Sequence, residues 1–250
     1  MIQKINILFT LLLITSLSWG QDTAFTKGNE QYKEGNYNEA ISNYENVLKN
    51  EGEAASVYYN LGNAYFKKGD LASAILNYER AYRLNPSDKD IRANLAYANA
   101  QKVDKIEKPQ RVFFFRWIQL LVEEFHSNTW AYIGIAFWAV LFIFLTLFIR
   151  TFSEKKRKIF FSFILFSLLI SLFSFYASYS QYSVNENKTH AIVFAQNITA
   201  KSTPSNNGTD LFILHPGTKV KVLDKVGNWY KIQLADEREG WLPAKEVVKI

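Results

Sequence analysis

The chain has 250 residues, 48% hydrophobic and 16% aromatic, with 11 glycines and 5 prolines, a balance that excludes a collagen-like or wholly disordered protein. It contains no cysteine, which excludes disulfides, a thiolate nucleophile and cysteine-ligated zinc. The net charge of +6 gathers around two uncharged apolar segments rather than along a folded stripe, and so speaks against nucleic-acid binding.

At the N-terminus Lys4 precedes an apolar run over 5–17, and Ser18-Trp19-Gly20 places small residues before a cut at Gln21. Residues 1–20 thus read as a secretory signal peptide; an uncleaved anchor would equally export the segment after it.

Residues 21–108 contain an internal repeat. Gly28 and Gly62, Asn29 and Asn63, Gly35 and Gly69, Ala40 and Ala74, Ile41 and Ile75, and Tyr44 and Tyr78 are each 34 residues apart. This spacing resembles the tetratricopeptide repeat, in which each copy is a helix pair. Gly62, Ala74 and Ala81 let the helices touch, Leu61, Tyr65 and Tyr78 fill the space between them, and Pro86 ends the pair. The first copy is weaker, with Lys27, Gln31 and Gly52 where the pattern expects Leu, Tyr and Pro. Ser87-Asp88-Lys89-Asp90 starts one more, capping helix. Two repeats and a cap are near the lower limit for a stacked array, so the domain is expected to lean on another element, with a membrane-surface helix as candidate. The resemblance implies a concave groove lined by first helices: Phe25, Asn29, Tyr32 and Lys33, then Tyr59, Asn63, Phe66 and Lys67, then Tyr97. Stacked Asn and Lys beside aromatics suit an extended peptide with an acidic or free carboxyl end. Ordinary solvated side chains would give the same letters.

Residues 109–128 hold an amphipathic segment after Pro109: Phe114, Ile118, Leu121 and Phe125 share one helical face, and Arg116, Gln119 and Glu123 another. It reads as a juxtamembrane helix on the outer leaflet, with a core helix of the preceding domain as the alternative. Residues 129–149 and 159–179 are free of charge and long enough to span a bilayer. Between them residues 150–158 carry Arg150, Lys155, Lys156, Arg157 and Lys158, the mark of a cytoplasmic loop. Both soluble parts then lie outside the cytoplasmic membrane, and Trp130, Tyr132, Tyr176, Tyr179 and Tyr182 fall at the outer interface. Ser167, Ser171, Ser174 and Ser178 form a small-residue stripe that should face the first span or a partner helix.

After a linker over 180–189, residues 190–250 change to period two, with alternating runs over 191–195, 219–223 and 229–234. Turns are expected over 204–208, 216–217, 227–228 and 235–238, giving a five-stranded barrel. Residues 214–222, 227–232 and 240–247 resemble a bacterial SH3 domain. That resemblance implies a ligand surface at Trp229, Tyr230 and Trp241, with Tyr230 a candidate for the core instead. Glu246 stands where the family's groove has Tyr, which speaks against a polyproline ligand.

The fold class expected is a multidomain membrane protein: all-α repeat helices, two transmembrane helices and an all-β SH3-like barrel. The order of parts resembles BatE-like members of the Bat (Bacteroides aerotolerance) operon family. The resemblance implies a non-enzymatic scaffold in the bacterial inner membrane with both soluble domains periplasmic. Its implied partners are membrane-anchored von Willebrand factor A proteins and a MoxR-type ATPase, and it implies no cofactor. The rival is an envelope sensor whose SH3 domain engages peptidoglycan. A wall hydrolase fits poorly, because His126, His190 and His215 are scattered and no cysteine nucleophile exists.

Overall fold

The computed structural model describes residues 24–106, 113–186 and 189–250. The signal segment and Pro109 lie outside the described residues, as do the side chains of Phe114, Arg116 and Glu123. Five helices come first: α1 (Ala24–Lys33), α2 (Tyr37–Asn50), α3 (Ala55–Lys68), α4 (Leu71–Leu84) and α5 (Lys89–Ala100). Their boundaries follow local chemistry. Gly69 ends α3 at φ +89°, a left-handed conformation costly for any residue with a Cβ. Asp70 then caps α4 by accepting from the Ser73 N–H at 3.0 Å, and Asp88 caps α5 through the N–H groups of Asp90 and Ile91.

The 34-residue period is visible in atomic contacts. A Cβ on Gly28 would sit 2.6 Å from the Tyr44 ring, and one on Gly62 would sit 2.7 Å from the Tyr78 ring. Each glycine thus lets a second-helix tyrosine lie flat against its own first helix. Both tyrosines are buried, and each phenol donates outward to an asparagine: Tyr44 to Asn29 Oδ1 at 2.9 Å, Tyr78 to Asn63 Oδ1 at 2.7 Å. The same oxygens accept from the next helix, Asn60 Nδ2 to Asn29 and Asn94 Nδ2 to Asn63, both at 2.9 Å. One asparagine therefore joins the two helices of its own repeat and the first helix of the following one. Burial, with a smaller push from the neighbouring Tyr32, raises the Tyr44 phenol to about 12, so it stays a donor at physiological pH.

Two long helices follow α6 (Phe113–Glu123). They are α7 (Ser127–Arg150) and α8 (Glu154–Glu186), joined by only three residues and both long and apolar enough to cross a membrane. The basic segment is therefore mostly the first turn of α8. At 33 residues α8 is roughly 50 Å long, well beyond a ~30 Å hydrocarbon core, and it continues as helix through most of the expected linker. Ser167, Ser171 and Ser174 are buried on the face turned to α7, as expected, and Ser171 Oγ donates to Gly134 O at 3.1 Å.

The C-terminal part is one antiparallel sheet of seven strands rather than five: β1 (His190–Val193), β2 (Ile198–Lys201), β3 (Asp210–Leu214), β4 (Lys219–Val226), β5 (Trp229–Gln233), β6 (Glu239–Pro243) and β7 (Val247–Lys249). Their order is β3-β2-β6-β5-β4-β1-β7. Its core contains Ala191, Val193, Ala200, Leu214, Val220, Ile232 and Leu242. The repeats do lean on another element, but it is chiefly this sheet and not α6. Ile192 and Ile250 join the cluster built from Ala74, Ile75 and Tyr78 of α4.

Gly62→Ala should drive a methyl into the Tyr78 ring and destabilise the repeats by about 1–3 kcal/mol. Chemical denaturation of the full chain followed by the helical signal would measure it; an unchanged midpoint would mean the helices do not need that approach.

Candidate protein-docking surfaces

The first helices α1, α3 and α5 stand side by side, tied by the asparagine pairs described above. On them Phe25 packs at 6.0 Å from the Tyr44 ring, Tyr32 at 5.6 Å from Tyr37, and Tyr59 at 6.1 Å from Tyr78. Phe66 packs against Tyr97, tilted, at 5.6 Å between ring centres, and Tyr97 itself is 61% exposed. Lys33 and Lys67 are exposed and form no ion pair among the described residues. The structure thus brings the nine expected residues onto neighbouring helices but divides their work. The carbonyl oxygens of Asn29 and Asn63 are spent on inter-helix bonds, so these residues brace the surface. Lys33, Lys67 and Tyr97 remain exposed beside half-buried Phe25, Tyr32, Tyr59 and Phe66, a combination suited to an acidic extended peptide.

On the sheet, pairing fixes which aromatics share a side. Trp229 lies opposite Pro243, and Lys231 opposite Trp241. Because side chains alternate along a strand, Trp229, Lys231, Trp241 and Pro243 share one face, while Tyr230 shares the other with buried Ile232. Tyr230 packs on the sheet core with the ammonium groups of Lys225 and Lys249 over its ring, 5.8 and 5.3 Å from the centroid. The two tryptophans are therefore brought together and Tyr230 is not. Lys201, opposite Trp241, extends their face onto β2, where it pairs with Asp210.

A third group, invisible to sequence reasoning, fixes these two surfaces relative to each other. Asp104, just after α5, accepts from the His215 N–H at 2.8 Å and from Thr218 Oγ1 at 2.6 Å, and its Oδ1 lies 2.7 Å from His215 Nδ1. Buried Glu79 on α4 takes Lys219 Nζ at 2.6 Å, and Arg80 donates to Lys249 O at 3.0 Å. The loop between β3 and β4 comes so close that a Cβ on Gly217 would meet Ile75 Cδ1 at 2.9 Å. These contacts use α4 and the end of α5, leaving Lys33, Lys67 and Tyr97 open. Burial alone would raise the Asp104 carboxyl, but the hydrogen bonds from Thr218 and from the backbone and ring of His215 outweigh it and hold the group below its usual 3.8. Burial likewise lowers Lys102, which lies against Gly217. Among the described residues no group of three or more His, Asp or Glu is placed to hold a metal ion.

Comparison with known families agrees with this division of the chain. Residues 25–89 match the family model of the tetratricopeptide repeat, and residues 199–248 match that of the bacterial SH3 domain. No curated protein matches the chain. These are interaction modules, and bacterial SH3 domains point to proteins or peptidoglycan as ligands.

A carboxyl whose pKa is lowered on folding stabilises the fold above its unfolded value and loses that contribution as pH falls through the folded one. The Asp104 contribution should therefore be complete at neutral pH and vanish below pH 3.8. Asp104→Ala should cost roughly 3 kcal/mol at neutral pH. In Asp104→Asn the stability should lose the part of its acid dependence that this carboxyl supplies. Thermal denaturation of both variants from neutral to acid pH checks the pair; identical acid profiles for Asp104→Asn and the parent would remove Asp104 from the account.

Proposed function

We propose that the protein is a non-enzymatic, membrane-anchored scaffold that docks protein partners through both modules in a cell-envelope complex. The observation that carries this reading is the clamp between them. Two unlike interaction modules, one on each side of an apolar hairpin in sequence, are held together as one head. Contact between them supports an even number of crossings, with both modules on one side and the Arg150–Lys158 segment on the other. The positive-inside rule then assigns that segment to the cytoplasm and the head to the periplasmic side of the bacterial inner membrane. The order of parts supports a BatE-like role in a Bat-type complex for stress or aerotolerance, with von Willebrand factor A proteins as partners.

A second reading rests on the sheet. Half-buried Trp229 and Trp241 share the face of the sheet opposite buried Ile232 and Leu242, a surface suited to stacking on peptidoglycan. The protein would then be a wall-binding sensor whose repeats relay to a partner.

Capture from detergent-solubilised host membranes separates the two. Lys33→Ala with Lys67→Ala should lose the von Willebrand factor A proteins that the parent retains, each lost charge-assisted bond weakening binding by about 1.5–3 kcal/mol, tenfold or more. Asn63→Ala is the wrong probe, since it strips partners from Tyr78 and Asn94 and should unfold rather than unbind. Equal recovery by parent and double-lysine variant would reject the groove as docking surface. Sedimentation with purified cell wall, lost on Trp229→Ala with Trp241→Ala, would instead favour the sensor.

A further inference from the structure

The helix between the repeats and the hairpin shows two distinct apolar sides among the described residues. Ile118 and Val122 dock on the hairpin, with Val122 buried in a cluster with Trp130 and Ala177 and with Phe173 beside it. The apolar residues Trp117, Leu120 and Leu121 are 71%, 54% and 51% exposed on another side, joined by half-exposed Phe125. Sequence periodicity groups Ile118 with Leu121 and Phe125, but the structure divides that arc between protein and open surface.

Depth follows from the docking residues. Phe173 and Ala177 belong to the charge-free run over 159–179, and Trp130 lies in the first turn of α7. The helix therefore sits beside the apolar end of the hairpin rather than above it. Its C-terminal carbonyls point the same way independently. Helix ends at a wet surface leave their last carbonyls to water. Here Val122 O accepts from Trp130 Nε1 at 3.0 Å and from Gln181 Nε2, and Phe125 O accepts from Gln181 Nε2 at 2.6 Å. Gln181 is itself buried on α8, so protein donors take water's place where water would be scarce.

We infer that α6 is a third membrane-embedded element, lying in the headgroup–acyl boundary of the leaflet below the head with Trp117, Leu120 and Leu121 in contact with phospholipid. This rests on the reading that α7 and α8 span the membrane. Continuity with the hairpin names the occupant: the surface that α6 exposes adjoins the one that the spans expose. The helix would then hold the repeats at a fixed height over the bilayer.

The absence of cysteine allows single labels in the full chain. Leu121→Cys, Leu172→Cys and Asn206→Cys would each carry an environment-sensitive fluorophore in phosphatidylcholine–phosphatidylglycerol vesicles. The label at 121 should emit blue-shifted, be quenched by lipids doxylated near the headgroup, and resist aqueous iodide. The label at 172, on an exposed apolar site of α8, should be quenched by deep doxyl groups, and the one at 206 by iodide alone. Gln181→Ala, which frees Phe125 O and leaves Val122 O only its bond from Trp130, should raise iodide quenching at 121. Iodide quenching at 121 equal to that at 206, with 172 still in lipid, would overturn the inference and leave the hairpin standing. Aqueous behaviour at both 121 and 172 would overturn the spanning reading itself. Shielding of 121 from both lipid and iodide would mean that a protein surface covers α6, and would also reject the inference.

Discussion

One half-buried carboxylate anchors the contact between the repeats and the sheet. Asp104 collects donors from His215 and Thr218, on a loop more than a hundred residues further along the chain, and it does so beside the Glu79–Lys219 pair and the apolar contact of Ile75 with Gly217. Asp104, Glu79 and Lys219 each have a named partner, which is the condition under which buried polar groups specify a geometry rather than merely cost desolvation. Once this contact forms, α1 to α5 and the sheet cannot swing independently on their tethers. The placement of both proposed docking surfaces follows from it.

Two further devices support the head. Within the repeats, a glycine, a tyrosine and an asparagine recur as a unit: the glycine admits the ring, the ring reaches the asparagine, and the asparagine reaches the next helix. A short array gains from this because each repeat is tied to its neighbour by a polar bond as well as by apolar burial. Below the repeats, α7 and α8 pack through serines and Gly134, the small residues allowing a close approach that aromatic contacts such as Phe144 on Phe163, 4.6 Å between ring centres, then extend. Gln181 ends the serine stripe and fastens α6, so the same helix face that joins α7 to α8 also anchors the element leading into them.

Much of this was legible in the sequence for physical reasons. A 34-residue period imposes small residues wherever helices touch, so Gly28, Gly62 and Ala74 announce the fold. The serine stripe follows from helical geometry, and turn residues at Pro216-Gly217 and Gly227-Asn228 bound the strands. What stayed hidden depends on distance or on ambiguity of chemistry. Nothing local marks Asp104 as a partner of His215, since Asp104 lies in no motif and the SH3-like segment around His215 carries no sign of a distant carboxylate. Asparagine serves equally as a groove residue and as an internal brace, and only the Tyr78 and Asn94 contacts show that Asn63 is bracing. Trp130 reads as an interfacial aromatic, yet it is buried and donates to Val122 O. An apolar arc cannot announce whether protein or lipid covers it, which is why Ile118 and Leu121 share one face by periodicity and lie on two in the structure.

The central claim is that the repeats and the sheet are held in one fixed relation, and a distance measurement tests it most directly. Spin labels at Glu39→Cys on α2 and Lys245→Cys after β6, both exposed sites in a chain free of native cysteine, would report the separation of repeats and sheet by double electron–electron resonance in bilayers. The clamp predicts a single narrow distance distribution. A broad or multi-peaked distribution would show the two modules moving independently and would contradict the account.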